Sequence, residues 1–481
     1  MMALRVLLAT PEAVPYAKTG GLADVAGALP KALAGLGHDV RLIVPKYDTM
    51  KEDIEARRLR DLTVCLGGRT VRVMIETSDA IRGVVTYLVG SPDYFARGGL
   101  YGEPDDAERF GLFCRATLEL LRAEDWRPQV IHGNDWQTAL IPVLLKSEYA
   151  GDPALSGIAT LHTIHNLGYQ GIFGPETLEA VGVDRALFTM EGLEFYGQVN
   201  FLKGALVWAD VLNTVSKTYA EEIQTPEYGE RLEGVLAARK GDLYGILNGI
   251  DYAEWDPGHD ELIEARYGPD DLAGKAKCKA ALQRRLGLEE KPEAPLFGLV
   301  SRLAAQKGLD LLAEALPHLL RLGAQFALLG TGEPRYHELM SGLAERFPRA
   351  MGVALTFDNR LAHQIYAGSD MFVMPSHYEP CGLGQLISLR YGSIPVVRHT
   401  GGLADTVSDY DPERGEGNGF SFRERSSVAL LGALARGLLT YRDRAAWSAL
   451  VRRGMSEDFS WERAAREYAG LYQRALERRG G

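Results

Sequence analysis

Two cations on one short polar loop, Arg302 and Lys307, follow the apolar run Leu296–Val300. Arginine offers a planar fork of donors and lysine a compact point charge, and both suit phosphate oxygens. Farther along, Glu379-Pro380-Cys381-Gly382-Leu383 lies between the apolar run Met371–Met374 and a helical stretch from Gln385 onward. Gly382 lets a backbone approach a ligand closely, and the N–H groups of Leu383 and Gly384 point forward at a helix start. Glu379 has two readings at this stage. It is either a carboxylate that meets a ligand or a helix-start charge worth about 0.3–1 kcal/mol.

A second group of candidates lies near the N-terminus. Lys18 directly precedes Thr19-Gly20-Gly21-Leu22-Ala23-Asp24, and these six residues recur letter for letter as Thr400-Gly401-Gly402-Leu403-Ala404-Asp405. Each copy follows an apolar run and opens a helical stretch. Either a glycine turn is used twice, or two domains each present backbone N–H groups to one anion. Asp24 is placed equally well to reach a ligand or to cap its helix. His132-x-x-Asp135 and His162-x-x-His165 invite a metal reading, but no cysteine or clustered carboxylate completes a shell. Polar recognition by Asp135 and His165 fits better, with His132 and His162 structural. Cys381 has no histidine motif to activate it as a nucleophile.

The elements that must position these residues read as alternating strands and helices. Residues 6–9 form an apolar run, a loop carries Pro11, Pro15 and the first glycine pair, and residues 22–36 have helical spacing before the strand at 40–44. The alternation returns at 296–300, 309–320, 326–329, 371–374 and 394–397. Such an order predicts βαβ units, a parallel sheet in each half and an α/β fold. The chain has 481 residues, which predicts two domains. They divide as 1–246 and 247–456, with a terminal amphipathic helix within 457–481 able to pack back on the first. The net charge of −11 argues against nucleic acid and anionic membrane as partners. Four widely spaced cysteines suit a reducing compartment. The start, Met1-Met2-Ala3-Leu4-Arg5, lacks the features of a secretory signal, and no apolar stretch is long enough to span a bilayer, so a cytoplasmic location is expected.

Taken together, these motifs carry a resemblance along nearly the whole chain. Lys18-Thr19-Gly20-Gly21-Leu22-Ala23-Asp24-Val25, His132-Gly133-Asn134-Asp135-Trp136 and Thr163-Ile164-His165-Asn166 come first. Leu247-Asn248-Gly249-Ile250-Asp251, Ser301-Arg302-Leu303 and Gln306-Lys307-Gly308 follow. Pro375-Ser376, Tyr378-Glu379-Pro380-Cys381-Gly382-Leu383, the second hexapeptide and Phe459-Ser460-Trp461 complete the set. In order and spacing the sequence resembles the bacterial glycogen synthases and plant starch synthases. The absence of a transit peptide before Met1 favours the bacterial type.

That resemblance implies two facing Rossmann-like domains of the GT-B type with a cleft between them. It implies a metal-independent transfer of glucose from ADP-glucose to the non-reducing end of an α-1,4-glucan such as glycogen, with retention. ADP-glucose is then a substrate, and no cofactor is expected. Arg302 and Lys307 meet the diphosphate, and Glu379, Asp135 and His165 meet the sugar. Donor contacts extend to Lys18, Gly20, Gly21, Asp24, Asn248, Phe357, Cys381, Gly382, Leu383 and Thr400. Phe357 stacks on adenine in this reading, against the alternative of a core phenylalanine. No second carboxylate is placed as a covalent nucleophile, and the resemblance implies front-face substitution in which the leaving phosphate accepts the proton of the acceptor hydroxyl. Two rivals remain at this point: a UDP-glucose enzyme making a small disaccharide, and a glucan-binding protein without activity.

Overall fold

The structure is a computed structural model, and it describes residues 3–51 and 53–480. Met1 and Met2, part of the N-terminal reading above, lie outside the described residues. The chain divides into two compact units, Met1–Asn248 with Trp461–Gly481 and Gly249–Ser460. The division therefore falls after Asn248 and again after Ser460, a little beyond the positions expected from sequence.

The first unit is built on nine strands: β1 (Arg5–Ala9), β2 (Asp39–Pro45), β3 (Arg57–Leu66), β4 (Arg69–Ser78), β5 (Val85–Gly90), β6 (Val130–Asn134), β7 (Ala159–Ile164), β11 (Val211–Thr214) and β12 (Leu243–Gly245). A separate small sheet is formed by β8 (Ile172–Phe173), β9 (Glu194–Phe195) and β10 (Gln198–Asn200). The main sheet runs β12-β11-β7-β6-β1-β2-β5-β4-β3. From β12 to β5 the pairing is parallel, and β6 and β7 are buried along their whole length, as strands covered on both faces must be. The parallel pairing gives way at the far edge. There β3, β4 and β5 pair antiparallel, and β3 alternates inward Leu62, Val64 and Leu66 with exposed neighbours. That period of two is the mark of a strand with one face in water.

The second unit holds one six-stranded, wholly parallel sheet. Its strands are β13 (Leu296–Val300), β14 (Gln325–Leu329), β15 (Met351–Ala354), β16 (Met371–Met374), β17 (Ile394–Arg398) and β18 (Phe420–Phe422), in the order β15-β14-β13-β16-β17-β18. Each sheet thus reverses its direction of growth once. In the first unit the reversal lies between β1 and β6, and in the second between β13 and β16. At such a point the loops leaving the carboxyl ends of the two strands splay apart and leave a crevice for a ligand.

The terminal helix, Trp461–Gly480, packs on the first unit, joining the core formed by β1, β2 and the helix Gly21–Gly35. Its buried residues Trp461, Ala464, Ala465, Tyr468, Leu471, Tyr472 and Ala475 fall on one helical face. Tyr468 accepts a hydrogen bond from Asn213 at 3.1 Å, and Tyr472 meets His132 Nδ1 at 3.0 Å, so the helix reaches the sheet through polar contacts too.

Candidate active site

In the first unit the candidates stand on the loops that leave β1, β6 and β7. The β1 loop is organised by Glu12, which sequence reasoning missed. Its buried carboxylate accepts hydrogen bonds from the backbone N–H and the hydroxyl of Thr19, so it grips the first hexapeptide from below. Burial raises the Glu12 carboxyl above its ordinary range, the Thr19 hydrogen bonds oppose this, and nearby Asp24 adds to the rise. Lys18 and Gly21 are exposed, and Gly20 is half-buried. Lys18 Nζ lies 2.6 Å from Asp24 Oδ1, and no side chain caps the helix at Gly20. The capping role for Asp24 is therefore not what this loop uses; the carboxylate holds Lys18.

Asp135 follows β6 with a left-handed backbone (φ 56°), a conformation that costs a branched polar residue about 1–3 kcal/mol and recurs at functional sites. Its Oδ1 accepts the N–H of His165 at 2.7 Å, joining the β6 and β7 loops. The Asp135 carboxyl is pushed up to about 7, chiefly by burial, with the Glu12 carboxylate adding to the rise and the His165 N–H opposing it. His165 Nε2 is 2.8 Å from Asn134 Oδ1. The Asn134 amide nitrogen already donates to Ala9 O, so its oxygen faces His165 and the imidazole proton must sit on Nε2. Burial holds His165 at a pKa of about 3, hence neutral, and its Nδ1 remains as an acceptor. His132 spends one ring nitrogen on Tyr472 and the other on Thr163, the structural role expected of it. His162 is buried with both ring nitrogens unpartnered among the described residues, its pKa lowered to about 3 by burial. Among the described residues no three histidine, cysteine or carboxylate side chains cluster as a metal site.

The second unit places its candidates on the loops after β13 and β16, either side of the reversal point. These loops touch through Gly308, whose φ of 65° and absent side chain let Pro375 O come within 2.0 Å of where a Cβ would stand. Lys307 Nζ consequently meets Glu379 Oε2 at 2.7 Å, and Ser376 Oγ donates to the same oxygen at 2.9 Å. Both Lys307 and Glu379 are largely buried. The helix that follows, Gly384–Arg390, has no side-chain cap. The helix-start reading of Glu379 is thus replaced by a buried ion pair. With Oε2 doubly engaged, the orientation of the carboxylate is fixed. Arg302 is exposed, with no side-chain hydrogen bond or ion pair among the described residues.

The backbone bearing Glu379 is itself gripped from several sides. Arg398, buried at the end of β17, donates to Ser376 O at 2.8 Å and to His377 O. Gln306 donates to Tyr378 O at 3.1 Å, and the N–H of Gly402 is shared between Glu379 O and Pro380 O at 3.1 Å each. A Cβ on Gly402 would stand 2.0 Å from Cys381 O. The second hexapeptide is therefore spent on packing the loop, and the expectation that it offers N–H groups to an anion is not met at Gly402. Thr400 and Cys381 are buried, while Gly382 and Leu383 are half-buried. Phe357 is 80% exposed on the loop between β15 and the helix Asn359–Gly368, which removes the core alternative. Asn248 belongs to the first unit, not the second as expected, and its buried Oδ1 has no hydrogen-bond partner among the described residues. Glu12, Ser376 and Arg398 carry no spacing signal of their own: Glu12 and Ser376 act through contacts inside their own loops, and Arg398 reaches across from β17.

Comparison with known proteins adds to this geometry. Residues 5–238 match the family described as starch synthase catalytic domain, and residues 294–439 match glycosyl transferases group 1. A glycogen synthase of Syntrophotalea carbinolica is 51% identical over 98% of this chain and 99% of its own. One from Moorella thermoacetica is 49% identical over 99% and 98%. The solved catalytic domain of starch synthase IV from Arabidopsis thaliana, bound to ADP and acarbose, superposes with a TM-score of 0.93 at 38% identity, covering 99% of this chain and 100% of that one. A sucrose-phosphate synthase from Thermosynechococcus elongatus shares the fold, with a TM-score of 0.61 at 19% identity over 98% of each chain.

Proposed function

Because the chain belongs to the glycogen synthase and starch synthase family of hexosyltransferases, we propose that it lengthens α-1,4-glucan with glucose from ADP-glucose, in the cytoplasm and without a metal ion. The observation that carries this reading is the Lys307–Glu379 pair, fixed by Ser376 at the reversal point of the second sheet. ADP stands in the relative's description beside acarbose, a ligand of the sugar class, which supports a nucleotide-sugar donor and a glucan acceptor.

The reaction exchanges one bond for another. The bond from glucose C1 to the β-phosphate oxygen breaks, ADP leaves with the electron pair, and the acceptor O4 bonds to C1 from the face that ADP vacates. The acceptor's proton passes to a leaving phosphate oxygen, so no protein base is needed. Charge growing on that phosphate is met by Arg302, free at the loop tip, and by Lys307. Positive character growing at C1 is met by Glu379, whose carboxylate cannot swing because Lys307 and Ser376 hold it. Asp135 and neutral His165 accept or donate to sugar hydroxyls, and their fixed positions supply orientation. Lys18, half-buried Gly20 and exposed Gly21 add donor contacts, and the exposed ring of Phe357 gives adenine a face to stack on.

Initial rates with radiolabelled ADP-glucose and UDP-glucose, each with glycogen as acceptor, test the reading. Label should enter polymer from ADP-glucose, and the rate should survive EDTA. Preference for UDP-glucose would overturn the donor, and loss of rate that magnesium restores would overturn the charge assignment to Arg302 and Lys307. No incorporation from either donor would overturn the reading itself.

A further inference from the structure

Gln385 is wholly buried at the start of the helix Gly384–Arg390, next in sequence to the loop that carries Glu379. Its Nε2 donates to Cys381 O and Gly382 O at 3.0 Å each and to Thr406 Oγ1 at 3.2 Å. Thr406 Oγ1 donates in turn to Gly402 O at 2.6 Å, and Gly402 is the residue whose N–H is shared between Glu379 O and Pro380 O. Two of the three partners are carbonyls, which can only accept, so the amide nitrogen must face them. That leaves Oε1 buried without a partner. A residue kept only to fill space would carry no such group, since an unpartnered buried oxygen is a cost. Gln385 is here as a donor.

Gly382 makes room for it. The glycine has φ 73°, and a Cβ there would stand 2.4 Å from Gln385 Oε1, so the amide fills the space that a side chain would need. Peptide planarity then sets the direction of two N–H groups. In a trans peptide the N–H points opposite to the C=O of the same unit. Cys381 O shares its unit with the Gly382 N–H, and Gly382 O shares its unit with the Leu383 N–H. With both carbonyls turned to the buried amide, both N–H groups point away from it. Neither has a hydrogen-bond partner among the described residues, and both residues are half-buried. Leu383, with φ −107° and ψ −27°, follows the left-handed Gly382, and successive N–H groups across such a pair form a concavity that suits an anion.

We propose that Gln385 is a positioning residue for the donor's diphosphate. By holding the Cys381 and Gly382 carbonyls inward it aims the Gly382 and Leu383 N–H groups at a phosphate, and Thr406 steadies it from the helix Gly401–Thr406. The role rests on the functional reading above for the identity of that anion. Gln385→Met keeps the length of the side chain and removes the donor. Titration calorimetry with ADP alone should show its Kd rising about tenfold, equivalent to about 1.4 kcal/mol. The kcat with ADP-glucose should fall, and the KM for glycogen should stay at the wild-type value. Thr406→Val removes the hydroxyl but leaves Gln385 its two carbonyls, so the ADP Kd should rise less, by about threefold. That second variant decides the matter if Gln385→Met does not fold. Wild-type ADP affinity with only an earlier thermal transition would make Gln385 a packing residue, and the positioning role would fail alone. An equal weakening of ADP and of glycogen would overturn it too, because the damage would then not be confined to the donor. If the wild type binds ADP in a Gln385-dependent way yet transfers no glucose, the functional reading fails and the positioning role stands.

Discussion

Thr19–Asp24 and Thr400–Asp405 are the same six residues in two different surroundings. The first copy opens a helix of 15 residues, and its leading residues stand open to solvent above Glu12. The second opens a helix of 6 residues, its threonine and both glycines are buried, and its backbone is pressed against the loop that bears Glu379. A Cβ on Gly20 would meet only Glu12 Oε1, at 3.9 Å, whereas one on Gly402 would collide with a carbonyl. A side chain in place of the glycine would thus find open space in the first copy and a carbonyl in the second. The lesson is that a sequence motif fixes a backbone shape, while the neighbouring loop decides whether that shape meets a ligand or the protein itself.

The largest effect should come from what the second copy holds in place. Glu379→Gln should lower kcat by about 10²-fold or more, the scale of losing one preorganised electrostatic group, with the donor KM much less changed. It should also cost stability, by roughly 1–3 kcal/mol, less than the 3–5 kcal/mol of removing a buried ion-pair partner outright because the amide still accepts. Adding Lys307→Met should return part of that stability in thermal melts and none of the turnover. A double variant with recovered turnover would mean that Glu379 only neutralises Lys307.

Next comes the contrast between the copies themselves. Gly402→Ala should destabilise by roughly 1–3 kcal/mol through overpacking and lower kcat by displacing the Glu379 loop. Gly20→Ala, at an extended φ of −154°, should change stability by less than about 0.5 kcal/mol. Melting curves and kcat for the pair would show equal sensitivity if the comparison is mistaken.

Much of this arrangement was legible in the residues, and the boundary of legibility is physical. Four strands of the second unit, β13, β14, β16 and β17, were readable because buried parallel strands are short continuous apolar runs, as Met371–Met374 is. The antiparallel edge β3–β5 was not read, because the short alternation of Leu62, Val64 and Leu66 is preceded by Arg57, Arg58, Arg60 and Asp61, which suit a surface loop equally well. Arg302, Lys307 and Glu379 announced themselves by type and place. That Lys307 and Glu379 pair with each other, and that Arg398 orients the loop, depends on contacts between segments well apart in sequence, which no local pattern encodes.

A smaller effect separates the two units by ligand. Phe357→Ala should weaken ADP-glucose binding by roughly 1–3 kcal/mol, the worth of one base stacked on an aromatic ring. Its melting temperature should match the wild type, since an exposed ring contributes little to the core. A fall in melting temperature with unchanged donor affinity would return Phe357 to a packing role.

The mildest test is a pH dependence in the first unit. Burial pushes the Asp135 carboxyl up to about 7 in the folded chain, from 3.8 for the free side chain. Between those values the folded chain holds a proton that the unfolded chain lacks, so this group's contribution to stability declines as pH rises toward 7. Asp135→Asn removes the decline. Relative to wild type, the variant should therefore be more stable at pH 8 than at pH 5 in denaturant melts, and a difference that stays flat with pH would place Asp135 in a well-solvated setting.

The central claim is a transfer of glucose from ADP-glucose to the non-reducing end of an α-1,4-glucan, with the α configuration at C1 retained. Proton NMR of a short maltooligosaccharide after a single addition from ADP-glucose tests it most directly. The account requires the new unit at the non-reducing end in α-1,4 linkage, matching the α linkage of the donor. A β-linked product, or glucose released to water in place of the longer chain, would contradict it.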